Sequence, residues 1–249
     1  MPLLPALVLL VSLTDTNPAQ PAKVPAKVPA KAAPVRFTGD AGFVSSAGNT
    51  SVQTLNLGDK VVARLDAITF TQQFSRVNGR SKGATIASSW HGMLRTDVAV
   101  EHQVSVYAAV TYERNTFAGL ASRVGTVTGL SAEVIKTKTD RLVVEGGVSI
   151  TDQRGVTISP QDAGFLGGRA ATVFFHQIGP RASIAQSIEL LPNFREGGDL
   201  RINTETALLA PFTHNAAVKL SYVIHYDGLP EPGYFSTDRL FTSGLQVTL

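Results

Sequence analysis

The chain has 249 residues, 43% of them hydrophobic, a mean hydropathy of +0.10 and a formal net charge of +3 at pH 7. It has no cysteine, which excludes disulfides, thiolate metal sites and cysteine nucleophiles. With residues 1–35 set aside, 19 basic and 18 acidic residues remain, a balance that offers no basic face for nucleic acid.

Leu3 to Leu13 is an apolar run with the length of a signal-peptide core and too short to span a bilayer as a helix. Residues 1–19 are therefore expected to be a signal peptide, with Ala19 before the cleavage site, although no basic residue precedes the run. Residues 20–35 repeat Val-Pro-Ala-Lys twice. Proline removes backbone donors and favours an extended chain, so this Pro/Ala/Lys-rich segment reads as a flexible arm. Its lysines would suit contact with peptidoglycan or anionic lipid, and a tether with no partner would have the same composition.

From Arg36 onward the apolar residues recur with period two, the mark of strands with one apolar face. Strands are predicted over Arg36–Ser46, Thr50–Ala63, Ala67–Val77, Lys82–Val98, Gln103–Thr116, Arg123–Lys136, Arg141–Gly155, Gly167–Gln177, Arg181–Leu191, Leu200–Ala210, Ala216–Asp227 and Arg239–Leu249. That makes twelve, or ten if weak candidates merge. Between Gln103 and Glu113, Tyr107 and Ala109 interrupt the polar side. After residue 13 no apolar run approaches the ~18 residues of a membrane helix, so a chain that crosses a membrane here must do so with strands.

The connections sort by parity. The even ones, Arg64–Asp66, Ala99–His102, Thr137–Asp140, Ile178–Pro180 and Pro211–Asn215, are short. The odd ones are mostly longer: Asn78–Ser81, Phe117–Ser122, Val156–Leu166, Pro192–Asp199 and Gly228–Asp238, with Ala47–Asn49 the short exception. Short periplasmic turns and long outer loops are the pattern of an outer-membrane barrel. The expected fold is an all-β, antiparallel transmembrane β-barrel over residues 36–249, with ten to twelve strands and both termini periplasmic. A soluble periplasmic ligand-binding barrel is the opposing reading, since it also alternates, with its apolar face inward.

Tyr112, Tyr222, Tyr226, Phe37 and Phe241 fall on the apolar face and are expected near strand ends, where aromatic girdles sit. Asp40, Glu113, Glu145, Glu189, Glu205, Lys219 and His225 are expected to face the lumen, where they would either bias a small pore toward cations or pair across it and fill it. The second, a narrow and mostly filled interior, is preferred for twelve strands rich in small residues. Thr242, Gly244, Val247 and Leu249 have the spacing of an outer-membrane insertion signal, ending in leucine rather than an aromatic.

Gly48-Asn49-Thr50 followed by Leu55 and Leu57, together with Tyr226-Asp227-Gly228-Leu229-Pro230-Glu231-Pro232-Gly233 and Thr237-Asp238, carry a resemblance. The chain resembles the salt-induced outer membrane protein family, a domain of unknown function. The resemblance implies location and fold and supplies no catalytic residues.

No zinc-protease, nucleophile-elbow or phosphate-loop motif is present, and no cofactor or metal is expected. Of the five histidines, His102, His176 and His214 lie by predicted turns, and His225, two residues from Asp227, is the one candidate for rim chemistry. The expected protein is a non-enzymatic envelope or stress-associated protein, or a narrow porin-like channel, in the outer membrane of a Gram-negative bacterium. A barrel-rim lipid-modifying enzyme is the alternative. The expected partners are outer-membrane lipid, lipopolysaccharide and the barrel-insertion machinery.

Overall fold

The computed structural model describes residues 35–46, 52–82, 84–157, 163–179 and 181–249. The signal peptide and nearly all of the arm lie outside these residues, as do the Ala47–Asn49 turn with Gly48-Asn49-Thr50, residues 158–162 and Pro180.

The period-two segments form twelve strands: β1 Val35–Ser46, β2 Val52–Leu65, β3 Ile68–Ser81, β4 Ala84–Glu101, β5 Val104–Asn115, β6 Leu120–Lys136, β7 Asp140–Gly155, β8 Ala163–Ile178, β9 Ala182–Pro192, β10 Leu200–Pro211, β11 Ala216–Asp227 and β12 Thr237–Thr248. A single 3-10 turn, Thr116–Ala118, joins β5 to β6, and the described residues contain no α-helix. Each strand pairs antiparallel with its neighbours in sequence, and β1 closes on β12, so the sheet is one closed barrel. Closure runs through Thr38 opposite Thr248 and Ala41 opposite Leu245, with Phe37 and Leu249 exchanging backbone hydrogen bonds at 2.9 and 3.0 Å. The ten-strand option is thereby excluded.

The rims keep the parity of the connections. On one rim β2 is joined to β3, β4 to β5, β6 to β7, β8 to β9 and β10 to β11, and on the other β1 to β2, β3 to β4, β5 to β6, β7 to β8, β9 to β10 and β11 to β12. Several predicted loops are partly or wholly strand. Asn78–Ser81 continues β3 through a bulge at Gly79/Arg80, so that strand ends only at Ser81. Leu120–Ser122 and Ala163–Leu166 likewise belong to β6 and β8. The ladder continues at these ends because a partner strand is still alongside.

The apolar face points out. Ile150, Leu94 and Phe241 are 64%, 63% and 64% exposed, while Tyr107 and Glu205 inside the barrel are 1% and 0% exposed. A soluble barrel of the usual kind has the reverse arrangement, and that alternative falls with this finding. Tyr112, Tyr226 and Phe37 lie on the outer face, as do Tyr222 and Phe241, but Tyr222 and Phe241 pair with each other in the middle of β11 and β12 rather than near their ends. Several charges also depart from inward placement, among them Arg76, whose guanidinium lies 5.0 Å over the outward Trp90 ring, and Asp152, opposite the outward Val124. Asp59, in the middle of β2, pairs with Gly39 and Phe74 on the outward register and makes no hydrogen bond or ion pair among the described residues.

Candidate functional site: a charged lumen beneath a folded loop

The centre of the lumen is built on one transverse row, Asp97–Tyr107–Gly129–Gly147–Arg169, contributed by β4 to β8. Gly129 and Gly147 face each other across the β6–β7 pair. A Cβ on either would lie 2.2 Å from the Gly146 carbonyl or 2.4 Å from the Thr128 carbonyl. Tyr107 pairs with Gly129, and two guanidinium groups stack on its ring, Arg95 at 4.2 Å and Arg169 at 5.6 Å from its centroid.

Glu145 joins the two arginines. It accepts hydrogen bonds from Arg95 at 2.7 and 3.1 Å, from Arg169 at 2.6 Å and from the Ser131 hydroxyl at 3.1 Å. Arg95 also grips Asp97, and Arg169 donates to Glu189 at 2.6 Å and to the Tyr107 hydroxyl at 2.9 Å. Glu189 accepts from Asn203 at 2.8 Å, and the Asn203 carbonyl lies 2.6 Å from His225 Nδ1. A continuous chain of charge-assisted bonds therefore crosses the lumen from β4 to β11. Charges this well buried are costly unless each is paired and hydrogen-bonded, and here each is.

Nearer the long-loop rim, Arg123 reaches Gln153 at 3.0 Å, Glu113 at 3.1 Å and Asp227 at 3.7 Å. Above it the loop 228–236 folds inward. Gly119 stands in the turn between β5 and β6 with φ +81, and a Cβ there would lie 2.7 Å from Glu231 and 2.8 Å from Tyr234. At Gly155, where β7 ends, a Cβ would come within 2.9 Å of the Glu231 carboxylate. The β11–β12 loop therefore spans the mouth to the opposite wall, where Glu231 is buried. Backbone bonds from Gly228 N–H to Leu200 and from Tyr234 N–H to Glu231 fix its shape.

Between these layers runs a cavity of about 610 Å³. It is lined from Arg64 and Gln103 at the short-turn rim, past Arg95, to Asn115 and Glu231 under the loop. Elsewhere the interior is more tightly filled, with a second pocket of about 30 Å³ beside Asp40 and Lys219. Val77, Val223 and Leu240 form a small apolar cluster, Glu205 accepts from Ser221 at 2.7 Å with Lys219 Nζ at 3.7 Å, and Gln246 donates to Asp40 at 3.0 Å.

All seven residues expected in the lumen point there, but they do not form one site. Glu113, Glu145, Glu189 and His225 border the cavity, whereas Asp40, Glu205 and Lys219 lie in the more tightly filled part. His225 and Asp227 do not pair with each other: His225 meets Asn203, and Asp227 is held by Arg123 and the Leu229 N–H. Sequence reasoning missed Arg95, Arg169 and Tyr107. The alternation Leu94-Arg95-Thr96-Asp97 signals an inward Arg95, and Tyr107 had been noted only as an interruption. Near the C-terminus, Thr242 and Gly244 take the inner register and Val247 the outer one. Among the described residues no group of three or more His, Asp or Glu has the geometry to hold a metal ion.

The sequence matches the family described as "Protein of unknown function, DUF481" over residues 39–249. No curated protein matches it. Among solved structures, the translocator domain of the autotransporter NalP from Neisseria meningitidis is 12% identical, with 88% of this chain and 89% of that one covered at a TM-score of 0.48. The NanC porin is 13% identical, with 85% and 97% covered at 0.49, and the KdgM porin 12% identical, with 86% and 98% covered at 0.43.

Proposed function

The chain belongs to the DUF481 family of proteins of unknown function, and from its apolar outer wall and its charged lumen we propose that it is an outer-membrane barrel of a Gram-negative bacterium that acts as a narrow, loop-covered passage for small solutes. The single observation that carries this reading is the cavity of about 610 Å³ that follows one wall of the lumen from the short-turn rim to the underside of the loop 228–236. An interior meant only to be solid would have been packed throughout, as it is around Val77, Val223 and Leu240.

The outward apolar side chains suit lipid as solvent, and the closed sheet leaves no edge unpaired in it. The short turns and both described ends share one rim, which in this reading is periplasmic, with the loop 228–236 outside. Thr242, Gly244, Val247 and Leu249 would then serve the insertion machinery. The bonds that cross the lumen through Glu145 keep the passage narrow. The engagement of His225 by Asn203 and of Asp227 by Arg123 favours structural roles for both over acid–base chemistry.

Two measurements test this. Membrane fractionation followed by gels of boiled and unboiled samples should place the chain with the outer membrane and show a heat-modifiable band. Planar bilayers containing the purified chain should show small, discrete conductance steps. A soluble, unshifted protein would sink the membrane reading, and a folded barrel with no conductance at any voltage would sink the passage.

A further inference from the structure

Four buried polar atoms bordering the cavity have no hydrogen-bond partner: Arg201 Nε, His91 Nδ1, Asn115 Nδ2 and Glu231 Oε2. Arg201 is the most telling. Arg95, Arg169 and Arg123 are each bonded to at least one carboxylate within 3.1 Å. Arg201 is 9% exposed, lies 5.9 Å over the Phe165 ring and has no ion pair among the described residues. A buried guanidinium without a counter-ion is among the costliest arrangements in a folded chain, and so is a buried donor left unmade. Arg201 stands on β10, His91 on β4 and Asn115 on β5, and all three line the same cavity.

From this we infer that the chamber beneath the loop 228–236 is a binding site for a small hydroxylated monocarboxylate, its carboxylate held by Arg201 with Asn115 and His91, and a hydroxyl donated to Glu231. The inference rests on the reading of the lumen as open to small solutes. The charge of the ligand follows from the surroundings. Glu113, Asp199 and Asp227 lie within electrostatic range of Arg201, and Asp238 also lines the cavity. Among the described residues the chamber thus offers one free cation amid several carboxylates, and a polyanion would be repelled where a single negative group with neutral hydroxyls is not. Glu231, the one unpartnered acceptor of the four, sits on the loop itself, so a bound hydroxyl would tie the loop to the ligand.

The test is calorimetric titration of the full chain, folded in detergent micelles, with gluconate, with gluconamide (the same skeleton without the charge) and with inorganic phosphate. Gluconate should bind saturably, and gluconamide roughly 10- to 100-fold more weakly, the range for losing hydrogen bonds to a charged group. Arg201→Gln should weaken gluconate binding by at least about tenfold, while Arg195→Gln, on an exposed loop, leaves it unchanged. Equal affinity for gluconate and gluconamide, full affinity in a folded R201Q barrel, or a preference for phosphate would each overturn the inference. If R201Q fails to fold, the comparison of gluconate with gluconamide on the wild-type chain decides alone. Conductance with no gluconate binding refutes the site and leaves the passage standing. A protein that is soluble and shows no heat-modifiable band refutes the reading beneath it.

Discussion

Replacing Glu145 with glutamine removes the one carboxylate that bonds both Arg95 and Arg169. The carboxylate is 8% exposed and accepts four hydrogen bonds, two from Arg95, one from Arg169 and one from Ser131. Removing one partner of a buried ion pair costs about 3–5 kcal/mol. Each arginine keeps a second carboxylate, Asp97 at 2.6 Å or Glu189 at 2.6 Å, and each is 16% exposed, so water relieves part of the loss. The cost should therefore fall to or just below the lower edge of that range, at about 2–3 kcal/mol. For a chain of this size each kcal/mol shifts the midpoint by roughly 2–4 °C, so E145Q should unfold about 5–10 °C below wild type. The assay is the loss of the compact band on semi-native gels as temperature rises, checked by circular dichroism in the same detergent. A shift below about 2 °C would show that the Arg95–Glu145–Arg169 bridge does not hold the wall together, and the argument for a braced lumen would fail.

Other residues give independent readouts. Gly119→Val would place side-chain atoms within the 2.7 Å approach of Glu231 and force a β-branched residue into φ +81, so the loop 228–236 should detach. Single-channel conductance should rise and the loop should become cleavable by protease in intact vesicles; unchanged values for both would refute the loop's role at the mouth. Gly147→Val meets the Thr128 carbonyl at 2.4 Å and should prevent refolding from urea into the heat-modifiable form, whereas Gly146→Val, with nothing within 4 Å, should refold normally. Asp59→Leu removes a half-buried carboxylate from the middle of the outward face, and should raise the urea midpoint in micelles by an amount worth roughly 1 kcal/mol, since an acid costs less there than the ~2–4 kcal/mol of a midplane Lys or Arg. A lowered midpoint would mean that Asp59 has a partner in the assembled protein.

Strand positions, the inward or outward face of nearly every side chain and the two classes of rim were legible in the amino-acid order. They follow from local rules: a side-chain period of two, and turn residues where the ladder stops. Glu145 could be read as inward for the same reason that Leu142, Val144 and Val148 could be read as outward. The partners of Glu145 could not be read, because Arg95 lies 50 residues away and Arg169 lies 24 away on another strand. Which residues meet across a barrel depends on strand number and on the stagger at closure, and a shift of one residue in any ladder would swap the inner and outer faces beyond it. Tyr107 illustrates the same divide. Its strand position was plain, but its place under two arginines depends on β4 and β8 bringing Arg95 and Arg169 over its ring. The chain's order by itself determined a closed wall with an apolar outside. Only the tertiary structure decided that the stretch Gly228-Leu229-Pro230-Glu231 crosses the mouth and that Arg201 is left beneath it without a counter-ion, because both are set by distances across the lumen rather than along the chain.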